Sequence, residues 1–163
     1  MFSSNLLDKA QNILQVCRAG GHLIVSAESC TGGLIAGCLT DVPGSSDVVE
    51  RGFVCYSNAA KVEQLGVDGN LIDAHGAVSP EIAGAMVNGA LDRSHATLAV
   101  SVTGIAGPGG GTPEKPVGLV YIGSAIKPGG VAVERHIFAG DRQTVRELTV
   151  GMALDLMLQR LQA

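Results

Sequence analysis

The chain has no tryptophan, and only 3% of its 163 residues are aromatic. Its interior must therefore be packed from valine, leucine, isoleucine, alanine and methionine. Charge is scarce as well, at 16% of residues, and the formal net charge is −4. A broad nucleic-acid surface needs clustered lysine and arginine, so no nucleic acid is expected as a partner. No run approaches the roughly 20 apolar residues of a membrane span, so no membrane is expected either. The opening stretch "MFSSNLLDKAQNILQ" is amphipathic and lacks the basic region and cleavage site of a signal peptide. Cys17, Cys30, Cys38 and Cys55 show no C-x-x-C spacing, and in a chain of this size they read as reduced core or site residues. His22, His75, His95 and His136 are scattered, so no metal site is expected. A soluble, cytoplasmic protein without a metal or other cofactor is the resulting expectation.

With 46% apolar residues, neither repeats nor a linker, and an ordinary length, residues 1–163 read as one folded domain. Residues 5–18 carry a helical stripe of Leu6, Leu7, Ala10, Ile13, Leu14 and Cys17 that ends at Gly20-Gly21. Residues 22–27 then read as a strand, 31–40 as a helix of small residues, 41–46 as a loop and 48–56 as a strand. Asn58 is placed as the cap of a short helix ending at Gly66. Ser79-Pro80-Glu81 opens a helix to about Arg93, with cap, proline and acid in order. Strands follow at 97–103, 117–124 and 131–138, the last two as a hairpin turned at Pro128-Gly129-Gly130. From a cap at Asp141 a final helix runs almost to the end, apolar on nearly every side, which asks for a partner's cover and predicts a homo-oligomer, at least a dimer. This order gives an α/β fold, a three-layer α/β/α sandwich with a mixed sheet.

Three stretches carry chemistry. In "SAESCTGG", residues 26–33, a strand meets a helix through Glu28, Ser29, Cys30, Thr31, Gly32 and Gly33. Such a turn offers backbone N–H groups at a positive helix end, fit for a phosphate or an oxyanion. Ser29 is then a nucleophile, or Ser29 or Thr31 is merely a cap. In "YSNAAK", residues 56–61, Lys61 falls in the first turn of its helix. A cation there opposes the helix dipole, and burial favours its neutral form further. The position is poor for stability and good for a general base, unless Lys61 is simply solvated. Tyr56 and Ser57 offer a stacking face and a hydroxyl. The third stretch, "TGIAGPGGGTPEKP" at 103–116, holds five glycines and three prolines after a buried strand. It contains no phosphate-loop or dinucleotide signature, and reads as a wall or lid over a small molecule rather than as an idle loop. Two other arrangements stay open: a Ser29–His75 triad, and a Cys30–Lys61–Glu28 amidase set.

Taken in order, "AESCTGG", "PGSS", "GFVCYSNAAK", "GAVS" and "TGIAGPGGGTPEKPVG" resemble the CinA C-terminal domain family, from about residue 5 to the end. Many members carry a further molybdopterin-binding-like domain ahead of this one, so the chain is expected to be the stand-alone form. Enzymatic members are nicotinamide-nucleotide amidohydrolases. The resemblance implies hydrolysis of the carboxamide of nicotinamide mononucleotide by a serine–lysine dyad, carried here by Ser29 and Lys61, with Tyr56 as the tyrosine of the same motif. The position before Gly52, often glycine in that family, is Arg51 here. The substrate is then a small-molecule nucleotide. Its expected contacts are Glu28, Cys30, Thr31, Gly32, Gly33, Ser46, Ser57, Thr103, Gly104, Ala106, Gly107 and Arg142, with the ribose phosphate assigned to the 104–111 loop, Ser46 or Arg142. Relatives named only as competence- or damage-inducible proteins keep a second class open, a nucleotide-binding regulatory module without turnover.

Overall fold

The computed structural model describes residues 2–163. Helix α1 (Ser4–Gly20) leads into strand β1 (Ile24–Glu28), then α2 (Leu34–Thr40), a single 3-10 turn at Ser45–Asp47 and β2 (Val49–Val54). Three helices follow, α3 (Asn58–Leu65), α4 (Gly69–His75) and α5 (Pro80–Asp92), then β3 (Leu98–Gly104), β4 (Leu119–Ile126), β5 (Val131–Ile137) and α6 (Arg142–Gln162). The sheet order is β2-β1-β3-β4-β5. The first three strands are parallel and the last two antiparallel. This is the mixed sheet that the alternation of elements implies.

Strand pleating sorts the core into two apolar layers. On β3, Leu98, Val100 and Val102 face α1, α2 and α6, while Ala99 faces α3, α4 and α5. On β1, Ile24 joins the first layer and Val25 and Ala27 the second. The same alternation continues one step further, and that step positions the site: Glu28 and Ser29, neighbours in sequence, are sent to opposite faces of the sheet.

Most expected elements are present, with shifted ends. α2 begins at Leu34, not at residue 31, because Gly33 in the left-handed region (φ 98) ends the turn before it. Ser57, not Asn58, caps α3, its hydroxyl accepting from the Ala60 N–H. The expected caps of α5 and α6 stand as read: Ser79 and Asp141 accept from the N–H groups of Ile82 and Thr144. Helix α4 was not expected; at seven residues it is too short for an apolar period to show. The apolar girth of α6 is covered within the chain by α1, α2 and the sheet, leaving only Leu148 as a large exposed apolar side chain on it, 44% exposed. That helix does not itself call for a partner. No helix among the described residues is long and apolar enough to cross a membrane.

Candidate active site

Beyond the carboxyl ends of β1, β2 and β3 lies a cleft of about 300 Å³, where open α/β sheets bind their ligands. Ser29, Cys30, Tyr56, Asn58 and Lys61 line it, together with Ala77, Val78, Thr103, Gly104, Ile105, Ala106, Gly107, Gly109, Gly110 and Arg142.

The pleat explains why Ser29 is there. Its N–H donates to the Val102 carbonyl at 3.1 Å, so it prolongs the ladder of β1 and keeps the alternation. Its side chain is thereby sent to the face of α3, and Lys61 of α3 reaches it: Lys61 Nζ lies 3.1 Å from Ser29 Oγ. Lys61 is the largest fully buried side chain of the structure, 1% exposed. Its Nζ also donates to the carbonyls of Cys55 (3.0 Å) and Tyr56 (3.3 Å). No carboxylate among the described residues pairs with it.

Burial pushes the Lys61 amine below the ordinary lysine range. Cys55 and Cys30 would raise it again only as thiolates, and both thiols are themselves pushed up by burial, Cys30 to about 11. At neutral pH they are protonated and supply no negative charge to offset the desolvation of the lysine. A neutral amine has two N–H bonds and a lone pair. In that form, with the two carbonyls accepting its N–H groups, the lone pair would face the Ser29 hydroxyl. The arrangement is that of a nucleophile with its base.

Glu28, on the other face of β1, is 0% exposed. Its carboxylate accepts from the N–H groups of Gly33 (3.1 Å), Ile35 (3.0 Å) and Ala36 (2.9 Å), and from the hydroxyls of Thr31 (2.7 Å) and Ser26 (3.0 Å). Gly33 has no side chain with which to cap α2, and Glu28 performs that task from the preceding strand. The positive end of α2 is therefore neutralised by the protein itself.

A sequence model of the CinA C-terminal domain family matches residues 7–161. The chain belongs to that family. It is 43% identical to the nicotinamide-nucleotide amidohydrolase PncC of Escherichia coli K12 over 98% of this chain and 97% of that one. A CinA-like protein of Akkermansia muciniphila is 52% identical over 79% of this chain, but the match spans only 31% of that longer protein. This chain thus spans about a third of several of the curated relatives it matches. Among solved structures, the competence/damage inducible protein CihA of Agrobacterium tumefaciens superposes with a TM-score of 0.97, at 44% identity over 100% of this chain and 99% of that one.

Of the residues singled out from the sequence, Ser29, Cys30, Tyr56, Lys61, Thr103, Gly104, Ala106, Gly107 and Arg142 converge on the cleft. Tyr56 serves it in two ways: its carbonyl holds Lys61, while the residue is 59% exposed and its hydroxyl accepts from Arg142 Nη2 at 2.9 Å. Arg142 also donates to the Gly107 carbonyl at 2.9 Å. Gly107 adopts φ 86, and a Cβ there would collide with Val117, so the loop needs glycine at this point.

Other expected contacts do not reach the cleft. Glu28 and the Gly33 N–H are committed to capping α2, and Thr31 is fully buried with its hydroxyl on Glu28. The Gly32 N–H donates to the Ser29 carbonyl at 3.0 Å. Ser57 spends its hydroxyl on the α3 cap. Ser46 sits in the 3-10 turn ahead of β2, at the amino ends of the parallel strands, on the wrong side of the sheet for the cleft. His75 lies at the end of α4, with Nδ1 3.4 Å from Glu81, and lines no part of the site. Arg51 points to Glu50 and the Arg93 carbonyl, away from the cleft. Asn58, Ala77 and Val78 are lining residues not singled out from the sequence. The only trace of the latter two was the "GAVS" stretch.

Proposed function

We propose that the chain deamidates nicotinamide mononucleotide, giving nicotinate mononucleotide and ammonia, with Ser29 as nucleophile and Lys61 as general base. The observation that carries this reading is the buried, carboxylate-free amine 3.1 Å from a serine hydroxyl in a cleft wall. The 43% identity to a nicotinamide-nucleotide amidohydrolase over nearly the whole of both chains supports the substrate class.

In the proposed reaction, neutral Lys61 takes the Ser29 hydroxyl proton as Oγ attacks the carboxamide carbon. The negative charge that develops on the carboxamide oxygen needs N–H donors. Those of Gly32 and Gly33 are already committed, which leaves the N–H groups of Cys30 and Thr31, neither of which donates to a main-chain carbonyl among the described residues. Collapse of the adduct breaks the C–N bond, and the Lys61 ammonium supplies the proton that lets ammonia leave. Water, deprotonated by the same amine, then hydrolyses the ester on Ser29. Arg142, at the rim of the cleft and able to turn from the Tyr56 hydroxyl, is the cation available to the phosphate.

Incubation of the purified protein with nicotinamide mononucleotide tests the reading, with ammonia quantified and the nucleotide product identified by its mass. Stoichiometric conversion is expected from the wild type and none from Ser29→Ala. Nucleotide binding without ammonia release would instead leave a binding module.

A further inference from the structure

Arg146 lies one turn beyond Arg142 on α6, yet it does not line the cleft. No carboxylate among the described residues pairs with it. Its two hydrogen bonds go to consecutive main-chain carbonyls of the turn that carries the nucleophile: Nε donates to Cys30 O at 3.1 Å, and Nη2 to Thr31 O at 3.0 Å. A guanidinium fork is planar and rigid, so a two-point hold of this kind fixes orientation as well as distance.

We infer that Arg146 is a positioning residue that aims and polarises the N–H groups of Cys30 and Thr31 towards the oxyanion. This rests on the serine–lysine reading above. A planar trans peptide points its N–H opposite to its C=O, and the peptide units of this turn are trans. Holding Cys30 O therefore sets the direction of the Thr31 N–H. Holding Thr31 O sets that of the Gly32 N–H, which donates to Ser29 O. Ser29 O belongs to the same peptide unit as the Cys30 N–H, so that group is aimed in its turn. The chain of contacts from guanidinium to Thr31 O, Gly32 N–H, Ser29 O and Cys30 N–H aligns two peptide dipoles behind one positive charge. Hydrogen bonds in such a series polarise one another. Glu28 braces the same turn from the other side, through the Thr31 hydroxyl and the Gly33 N–H.

Arg146 also lines a separate cavity of about 330 Å³, together with Phe2, Leu34, Gln143 and Glu147. That cavity opens a route for chemical rescue. In Arg146→Ala, kcat should fall about a hundredfold, the scale of losing an oxyanion donor, while KM changes less than about threefold. Millimolar guanidinium should restore part of kcat in this variant and leave the wild type unaffected. Arg146→Lys keeps the charge but not the fork, and should recover less than about a tenth of the wild-type kcat. Amide exchange across residues 29–34 should accelerate in both variants with the rest of the sheet unchanged.

A rise in KM at unchanged kcat would overturn the inference by making Arg146 a substrate ligand. Full activity in Arg146→Lys, or unaltered exchange across the turn, would overturn it too. The exchange measurement needs no turnover, so it reports on Arg146 even if the wild type releases no ammonia. Should Arg146→Ala not fold, the lysine variant decides by the same readouts.

Discussion

Two helix starts flank the candidate site, and they are handled in opposite ways. At α2, the N–H groups of Gly33, Ile35 and Ala36 meet the Glu28 carboxylate, a negative group at a positive helix end. At α3, Ser57 supplies an ordinary cap, and a lysine is buried one turn in, where dipole and desolvation both oppose its charge. The first arrangement is electrostatically satisfied and has nothing left to offer a ligand. The second carries a lysine whose charged form is disfavoured, and that is what makes it useful. A buried group that stabilises the fold belongs to the scaffold, whereas one that weakens the fold points to chemistry.

Exchanging the two buried groups should separate the roles. Lys61→Met and Ser29→Ala are each expected to lower kcat by about ten-thousandfold or more, as when a nucleophile or its base is lost. Both proteins should unfold no earlier than the wild type in urea. Measurable turnover near the wild-type rate in either would sink the dyad. Glu28→Ala should do the reverse in kind. It leaves three N–H groups, one buried and two partly buried, without their acceptor, and a loss of about 3 kcal/mol or more in unfolding free energy is expected. A Glu28→Ala protein as stable as the wild type would show that α2 does not depend on this cap.

The contrast also shows what the sequence makes legible. Lys61 was readable because an N-terminal cation on a helix is a local oddity, visible within "YSNAAK". Glu28 was misplaced because its role turns on a single residue of strand length. Ending β1 at residue 27 puts Glu28 in the turn beside Ser29, whereas the strand in fact includes it and the pleat sends it to the opposite face. The same error made the α2 terminus look like an open anion site. The layered fold was legible because helix and strand periods alternate cleanly and Ser79-Pro80-Glu81 and Asp141 punctuate them. Arg146 was not, since it is 116 residues from Cys30 on a helix whose pattern advertises only apolar cover.

A subtler separation comes from pH. The folded pKa of Lys61 lies below its unfolded value of roughly 10.4. Between the two values the unfolded chain binds the extra proton, so this residue makes stability rise with pH across the window and fall as pH drops through the folded pKa. The buried thiols work oppositely. Cys17 is pushed up to about 12 and Cys38 to about 11, so the unfolded chain loses those protons first and their contribution declines above the ordinary thiol range. The unfolding free energy of Lys61→Met minus that of the wild type isolates the lysine, and should shrink as pH is raised towards 10.4. A difference that stays flat with pH would mean that Lys61 is not depressed.

The smallest effect is expected at the thiol that shares the turn with the nucleophile. Cys30 lines the cleft beside Ser29, and of the two thiols close enough to Lys61 to act on its charge it is the one among the lining residues. Burial, with the nearby Glu28 charge adding to it, holds its thiol at about 11. At neutral pH only about one molecule in ten thousand would then carry the thiolate, which is the nucleophilic form. The helix-end field that elsewhere lowers such a pKa is already cancelled by Glu28. Cys30→Ala keeps the main-chain N–H proposed for the oxyanion and removes only the sulfur. It should lose less than about threefold in kcat/KM, with no change in the pH at which activity rises. If it instead abolished turnover while Ser29→Ala stayed active, the thiol would be the nucleophile, and the satisfied start of α2 rather than the frustrated one of α3 would be the chemical half of the pair.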